Sequence, residues 1–282
     1  MTYYIFIVAL LSCLPIYDTT LLWRINSNPP AYLFATVHVP YTDIWPTLSD
    51  TVKSAFKNST HFYPEYDLTN FFSAIKLRMC VNNNKLPIGI PTPSPEMLRQ
   101  QQKQTPILDI HLTLEARRLV KNVEALEDLD IYCEFTKFQV ETLTKNYTLH
   151  MDKPELLDQK AIEEIKRTYN CDLNSPEELY TPTTAHTDDK ALVAFKKHLE
   201  EIVGRRDARM AQKINDLLKE KSANKRFFFA VGFAHLMSPT GIVAKLRKDY
   251  SYSVSRLCTD SHEYRASLKC EKPSWCDPIA GL

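Results

Sequence analysis

The sequence predicts an α/β fold: a mixed sheet built from two pseudo-repeated strand–helix–strand halves and covered by helices. Two stretches, "LFATVHV" and "RFFFAVGFAH", are apolar strands that each run into a histidine, His38 and His235. Each stretch is followed by apolar residues at helical spacing and then by another short strand. The similarity of the two units indicates an internal pseudo-repeat in which each half offers one histidine beyond a strand end.

Composition excludes several classes of function. The 282 residues are 44% hydrophobic and 24% charged, as in globular proteins. The formal net charge of +1 and the absence of a basic stripe argue against a nucleic-acid partner. The five glycines do not cluster, which excludes a phosphate-binding loop or a dinucleotide fingerprint, and neither G-x-S-x-G nor H-E-x-x-H occurs.

The first twenty residues resemble a secretory signal peptide, although they lack a basic start and a clean cleavage site. The alternative is that they form a buried first strand. We expect a single domain over residues 21–257, a cysteine-containing tail over 258–282, and no membrane span in the mature chain. Export agrees with glycosylation acceptors at Asn58 and Asn146. It also agrees with an even set of cysteines, whose pairing the sequence leaves open: Cys80, Cys133, Cys171, Cys258, Cys270 and Cys276.

The first unit places two polar groups at one rim of the sheet. "LLWRINSNPPAYLFATVHV" predicts two strands joined by a turn, "TLSDTVKSAFKN" a helix, and "HFYPEYDL" a strand that contains Glu65. A short helical connection favours parallel strands, whose carboxyl ends lie at the same edge. His38 and Glu65 are therefore expected at the edge where α/β proteins bind ligands.

Two helices carry further candidates. A helix from Pro106 is expected, with Asp109 near its positive end and a stripe formed by Asp109, Leu112, Ala116, Leu119, Val123 and Leu126. A long amphipathic helix is expected from Lys190 to Lys221, and Arg206 falls on its apolar stripe. Either Arg206 extends its charge to the surface, or it is buried and meets a carboxylate.

Imidazoles and a carboxylate that converge at a sheet rim form either a divalent-metal site or a proton-transfer pair. Neutral imidazole suits zinc, cobalt, manganese or iron, and a carboxylate neutralises charge and leaves positions for water. Gly232, three residues before His235, lets the backbone approach closely. Each histidine alone would more often be a hydrogen-bonded structural residue, so the prediction depends on the set of His38, Glu65 and His235.

Six blocks in order carry a resemblance to a known family: "LLWRINSNPPAYLFATVHVPYTDIW", "YPEYDLTN", "PILDIHLTLEARRL", "RTYNC", "RRDARM" and "KRFFFAVGFAHLM". They resemble the Tiki proteins, secreted or membrane-anchored metalloproteases that act on Wnt ligands and belong to the wider TraB-like group. The resemblance extends from about Leu21 to about Arg256. It implies a peptidase supported by manganese or cobalt, with two G-x-x-H motifs and a glutamate at the site.

Carried over to this chain, the second motif is intact as Gly232 to His235, whereas the first has Ala35 in place of glycine and keeps His38. The resemblance also implies a shortened segment between Cys80 and Pro106, where the family has additional helices. The hydrophobic C-terminal anchor of many members is absent from this sequence.

The roles that the resemblance implies are specific. His38, Glu65 and His235 bind the metal or its water, and Glu65 also serves as general base. Arg206, in "RDAR" with Asp207 where the family has asparagine, stabilises negative charge or orients a carboxylate. Asp109 orients a histidine from behind.

The leading hypothesis is therefore a secreted metalloprotease that trims an N-terminal segment of a secreted protein such as a Wnt and so negatively regulates Wnt signalling. A catalytically impaired binding protein on the same scaffold is the main alternative, motivated by Ala35 and the short central segment. A metal-independent hydrolase in which histidine is the base is a third.

Overall fold

A computed structural model describes residues 18–73, 75, 76, 79, 105–130, 133, 162, 163, 165, 166, 169, 190–220 and 224–259. The strands are β1 (Asp18–Ile25), β2 (Ala31–Thr36), β3 (His61–Pro64), β4 (Asn122–Val123), β5 (Phe227–Gly232) and β6 (Val254–Thr259). The α-helices are α1 (Tyr41–Ile44), α2 (Asp50–Asn58), α3 (Leu108–Arg118), α4 (Lys190–Lys219), α5 (Phe233–Met237) and α6 (Ile242–Lys248). The α/β class is therefore confirmed.

One mixed sheet of the described residues has the order β4-β3-β5-β2-β1-β6. Its centre is parallel, because β5 pairs with β2 on one side and with β3 on the other. The side of the sheet that contains β1 and β6 is antiparallel, because β1 pairs antiparallel with both β2 and β6. The carboxyl ends of β2, β3 and β5 consequently meet at one edge, as the sequence predicted for the first two.

In neither predicted strand–helix–strand unit are the two strands neighbours in the sheet. β2 and β3 run in the same direction, but β5 lies between them. β5 and β6 also run in the same direction, and β2 and β1 lie between them. The sheet therefore interleaves strands from the two ends of the chain. The pseudo-repeat of the two halves stays a prediction.

Aromatic side chains of the parallel strands and α2 form the centre of the core. Phe34, Phe56, Phe62 and Phe228 are almost fully buried and contact one another at ring-centroid distances of 5.4 to 6.2 Å. Phe56 meets Phe62 and Phe228 edge to face, a favoured geometry for aromatic pairs. This packing supports the strand ends from beneath. The run "FFFAV" is therefore buried on both faces, as is usual for a central parallel strand.

The sequence prediction extended the helix from Pro106 beyond its observed end. α3 ends at Arg118, and Val123 lies in β4 instead of on the helical stripe. Val120 has a φ of 56°, its N–H donates to the carbonyl of Arg117, and the N–H of Lys121 donates to that of Ala116. These two bonds and the left-handed residue form a Schellman motif, which stops the helix. Glycine usually fills this position, so the valine gave no stop signal.

Several element boundaries also differ from the sequence predictions. Glu65 is the first residue after β3 and not within it, and α4 ends at Lys219 instead of Lys221. β1 begins at Asp18, inside the range predicted as signal, and β6 reaches Thr259, inside the range predicted as tail. A signal peptide and the domain limits remain predictions. Residues 1–17 and 260–282 lie outside the described residues.

The structure describes only some of the asparagines and cysteines that the sequence linked to export. Asn58 is exposed at the end of α2, whereas Asn146 lies outside the described residues. Cys133 is disulfide-bonded, and β6 contains Cys258. The other four predicted cysteines lie outside the described residues. No helix in the described ranges is both long and apolar enough to cross a membrane.

We predict that Val120→Gly raises the free energy of unfolding by about 1 kcal/mol, because glycine adopts a positive φ without the steric cost that valine has there. The valine side chain is 91% exposed, so little packing is lost. Chemical denaturation would measure the change. Val123→Gly, in β4, is the matched control and should destabilise the fold. A loss of stability in Val120→Gly would contradict the Schellman explanation of this helix end.

Candidate active site

A cavity of about 550 Å³ lies at the edge where β2, β3 and β5 end. All three predicted ligands, His38, Glu65 and His235, line it, and so do Arg206 and Gly232. His38 lies just beyond β2, Glu65 follows β3, and His235 lies in α5 directly after β5. The parallel sheet therefore brings residues from distant parts of the sequence into one cavity.

Arg206 lies at the floor of the cavity between two glutamates. Its side chain is 7% exposed, and its Nη2 donates to Glu65 Oε1 at 2.5 Å and to Glu127 Oε2 at 2.7 Å. The hydroxyl of Tyr66 donates to Glu127 and accepts from Arg206, each at 2.6 Å. Burial disfavours the charged guanidinium, but the hydrogen bond to Glu127 and the surrounding groups raise the pKa of Arg206 overall. Of the two interpretations of Arg206, the structure confirms the buried, paired one.

Glu65 is held by both of its oxygens. Oε1 accepts from Arg206 and lies 3.7 Å from His235 Nε2, while Oε2 accepts from the N–H of Gly232 at 2.9 Å. A Cβ added to Gly232 would lie 3.0 Å from that Oε2, closer than nearly all such contacts in proteins. Glycine therefore lets the carboxylate reach the backbone. The orientation of Glu65 is fixed without help from a ligand.

His235 is paired with a carboxylate that sequence reasoning did not assign to it. Its Nδ1 lies 2.5 Å from Oδ1 of Asp207, whose side chain is 1% exposed. Burial raises the pKa of Asp207, and the hydrogen bond with His235 opposes that rise. With Nδ1–H donating to Asp207, the neutral ring presents the Nε2 lone pair toward the Glu65 side.

His38 has the same kind of partner in a more open setting. Its Nδ1 lies 3.0 Å from Oδ2 of Asp109, and the hydroxyl of Thr36 donates to Oδ1 of the same carboxylate at 2.5 Å. The hydrogen bond to Asp109 and the charge of that carboxylate raise the pKa of His38. The His38 side chain is 72% exposed, so water screens this pair. Asp109, in the first turn of α3, thus contacts His38; the resemblance implied that Asp109 orients a histidine but did not say which one.

These groups carry excess negative charge. Four carboxylates (Glu65, Glu127, Asp109 and Asp207) accompany one guanidinium, which gives a net charge of −3 with both imidazoles neutral and −2 with His38 protonated, the form that its raised pKa favours. A charge of this size at a partly buried site favours a cation. Within the described part of the chain, however, no three His, Cys, Asp or Glu side chains are close enough to form a ready-made metal site.

Ala35, at the first position of the A-T-V-H stretch, is not among the residues that line the cavity. Its side chain is buried, and its carbonyl accepts a hydrogen bond from the buried hydroxyl of Tyr169 at 2.9 Å. Burial keeps the pKa of Tyr169 well above its usual value, so the phenol stays a donor. Ala35 pairs with Val231, whereas Gly232 pairs with Thr36. Ala35 and Gly232, the first residues of the two four-residue motifs, therefore do not pair with each other but are offset by one residue.

Sequence reasoning missed Glu127, Tyr66 and Asp207. Glu127 follows β4 in a loop, and nothing in its local pattern distinguishes it from a surface carboxylate. Asp207 did carry a signal, because it precedes the apolar residues Met210, Ala211 and Ile214 at the spacing of one helical face. A periodicity plot centred on Arg206 would have marked Asp207 as a second buried charge.

A family model described as TraB/PrgY/gumN matches residues 92–256 of this chain, which is more than half of it. Curated relatives include Metalloprotease TIKI1 of Xenopus tropicalis, 24% identical over 83% of this chain and 60% of that protein. Metalloprotease TIKI homolog of Amphimedon queenslandica is 26% identical over 84% of this chain and 61% of that protein. Metalloprotease TIKI1 of Homo sapiens is 23% identical over 81% and 60%. The matches thus span about 60% of the length of these relatives. The comparison with solved structures found no match.

We predict that Arg206→Met lowers the free energy of unfolding by about 3–5 kcal/mol, because two buried carboxylates lose their shared cation. Adding Glu127→Gln to this variant should recover part of the loss, since the amide needs no counter-charge. Arg209→Met, three residues along on an exposed part of α4, is the matched control and should change stability by less than about 0.5 kcal/mol. Equal losses for the two arginine variants would contradict a buried ion cluster.

Proposed function

The chain belongs to the TraB/PrgY/gumN family, and we propose that it is a divalent-metal-dependent peptidase. One observation carries the proposal: two imidazoles, each with a carboxylate on Nδ1, share a cavity with a third, firmly held carboxylate. Metal-binding histidines in proteins very commonly have such a carboxylate partner. The names of the curated relatives support the same class of activity.

The donor set fits a divalent cation of the first transition series. His38, Glu65 and His235 would hold it, as two imidazoles and one carboxylate do in known hydrolytic sites, and manganese or cobalt is proposed on the family resemblance. The net negative charge of the surrounding groups agrees with this. A bound cation of this kind lowers the pKa of a water molecule and polarises a peptide carbonyl.

The protein groups would each have a distinct task. Glu65, oriented by Arg206 and the N–H of Gly232, would accept a proton from the attacking water at its free lone pairs. Arg206 would stabilise negative charge that develops next to Glu65. Asp109 would orient the His38 ring through Nδ1, and because the pKa of His38 is raised, its Nε2 would have to lose a proton before it could bind a cation.

We further propose that the substrate is an extended N-terminal segment of a secreted protein such as a Wnt, and that trimming it negatively regulates Wnt signalling. Extracellular location agrees with the signal-like start, the glycosylation acceptors at Asn58 and Asn146, and the disulfide-bonded Cys133. The Wnt assignment comes from family resemblance alone, because a fold does not determine a substrate.

A secreted binding protein without catalysis is the second candidate. The specific observation in its favour is that Oε1 of Glu65 is already 2.5 Å from the guanidinium of Arg206, which competes with a cation for that oxygen. Such a protein would bind an extended chain in the same cavity and leave it intact. Metal-dependent turnover separates the two candidates.

We predict that protein stripped by a chelator loses cleavage of a fluorogenic unstructured peptide and that manganese or cobalt restores it. His235→Ala should reduce kcat by at least about 100-fold, because it removes a direct metal donor. His61→Ala is the matched control, since His61 lies at the start of β3 and outside the cavity. Cleavage that ignores the chelator would favour the metal-independent hydrolase. Binding of the peptide without cleavage, at any metal concentration, would favour the binding protein.

A second prediction concerns Asp207 as a positioning residue. Asp207→Asn should weaken metal affinity about 10-fold to 100-fold, because the amide no longer fixes His235 with its proton on Nδ1. Titration calorimetry with manganese would measure the affinity, and nitrogen NMR of the imidazole would report the tautomer. Asp216→Asn, on the same helix, is the matched control. An unchanged tautomer and affinity in Asp207→Asn would show that Asp207 only supports the fold.

A further inference from the structure

Part of the cavity lining, its apolar wall, consists of side chains without polar atoms. Six residues from separate parts of the chain form it: Leu21, Leu68, Ile107, Leu129, Ile165 and Phe233. We propose that this wall is a specificity pocket for a bulky apolar side chain, such as leucine or phenylalanine, that adjoins the bond to be cut. The inference rests on the proposed function, because it names the class of substrate at that same site.

The wall is built before any ligand arrives. Leu21 in β1 and Leu129 are themselves buried, so they give a supported surface rather than free side chains. Ile165 and Tyr169 both line the cavity, and the Tyr169 hydroxyl donates a hydrogen bond to the carbonyl of Ala35 at the end of β2. This bond fixes the Tyr169 side chain to the sheet. A side chain that enters the cavity therefore meets apolar surface without prior rearrangement.

The gain from such binding is large enough to measure. Moving a leucine or phenylalanine side chain from water to an apolar pocket contributes roughly 1.5–3 kcal/mol. Each 1.4 kcal/mol or so corresponds to a factor of about ten in an equilibrium constant. If the contact is made in the transition state, we expect kcat/KM to rise about 10-fold to 100-fold over alanine at the same position.

Electrostatics excludes acidic side chains from the same place. Arg206 is the single Lys or Arg that lines the cavity in the described residues, and Glu65 and Glu127 already occupy it. A carboxylate placed against the apolar wall would lose water and find no guanidinium or ammonium there to pair with.

The test uses one unstructured peptide in which a single position beside the cleaved bond is leucine, phenylalanine, alanine, lysine or glutamate. The manganese-loaded full chain should cleave the leucine and phenylalanine peptides about 10-fold to 100-fold more efficiently than the alanine peptide, with glutamate the poorest. The same series with an N-methylated, uncleavable bond should bind the chelator-treated protein in the same order, measured by fluorescence anisotropy.

A charge placed on the wall gives an independent readout. Ile165→Arg should weaken binding and cleavage of the leucine peptide and strengthen those of the glutamate peptide, because the new guanidinium pairs with an incoming carboxylate. Ile75→Arg is the matched control, since Ile75 is exposed and outside the cavity lining. It should leave the order of the peptides unchanged. If Ile165→Arg does not fold, the wild-type series alone still decides.

The outcomes separate the two proposals. Cleavage or binding that is the same for leucine, alanine and glutamate overturns the specificity pocket, and in the case of cleavage it leaves the peptidase standing. Leucine-selective binding without any metal-dependent cleavage supports the pocket and overturns the peptidase. Selectivity that is unaffected by Ile165→Arg but lost in Ile75→Arg also contradicts the pocket.

Discussion

The guanidinium of Arg206 lies between Glu65 and Glu127, and through this contact the long helix α4 is joined to the ends of β3 and β4. A buried cation with two buried anions is stable only as a set, since removing one member leaves uncompensated charge. Glu65 is oriented by this set and by the N–H of Gly232, and it lies beside the imidazole of His235. Fold and candidate chemistry thus share one polar cluster.

Both imidazoles of the cavity are paired with an aspartate, but one ring is buried and the other is exposed to solvent. Asp207 holds His235 within a buried environment, whereas Asp109 holds His38 at a position that is open to solvent. The exposed ring retains rotational freedom that the buried ring lacks. In the described residues no three ligand-type side chains meet at metal distance, and His38 is the one that can move without disturbing the core. We infer that the site has a fixed side and an adjustable side.

Much of this arrangement could be predicted from the sequence, for identifiable reasons. Apolar strands followed by His38, Glu65 and His235 predicted the rim, because strand periodicity and parallel pairing are local signals with a global consequence. Glu127 could not be predicted, because its partner is 79 residues away and its own neighbourhood is polar. The end of α3 was misjudged because a valine occupies the position at which glycine usually signals a stop. Tertiary contacts decided what local pattern left open.

The pairing of β1 with β6 has a consequence for how the molecule is attached or labelled. β1 runs opposite to β2, so its first residue lies at the edge where β2 ends, and Asp18 is paired there with Thr259 of β6. The chain thus enters and leaves the sheet side by side, at the edge that carries the cavity. A dye, bead or fusion partner joined at either place would stand beside the cavity mouth. Surface immobilisation through those places would therefore obstruct large ligands more than small ones.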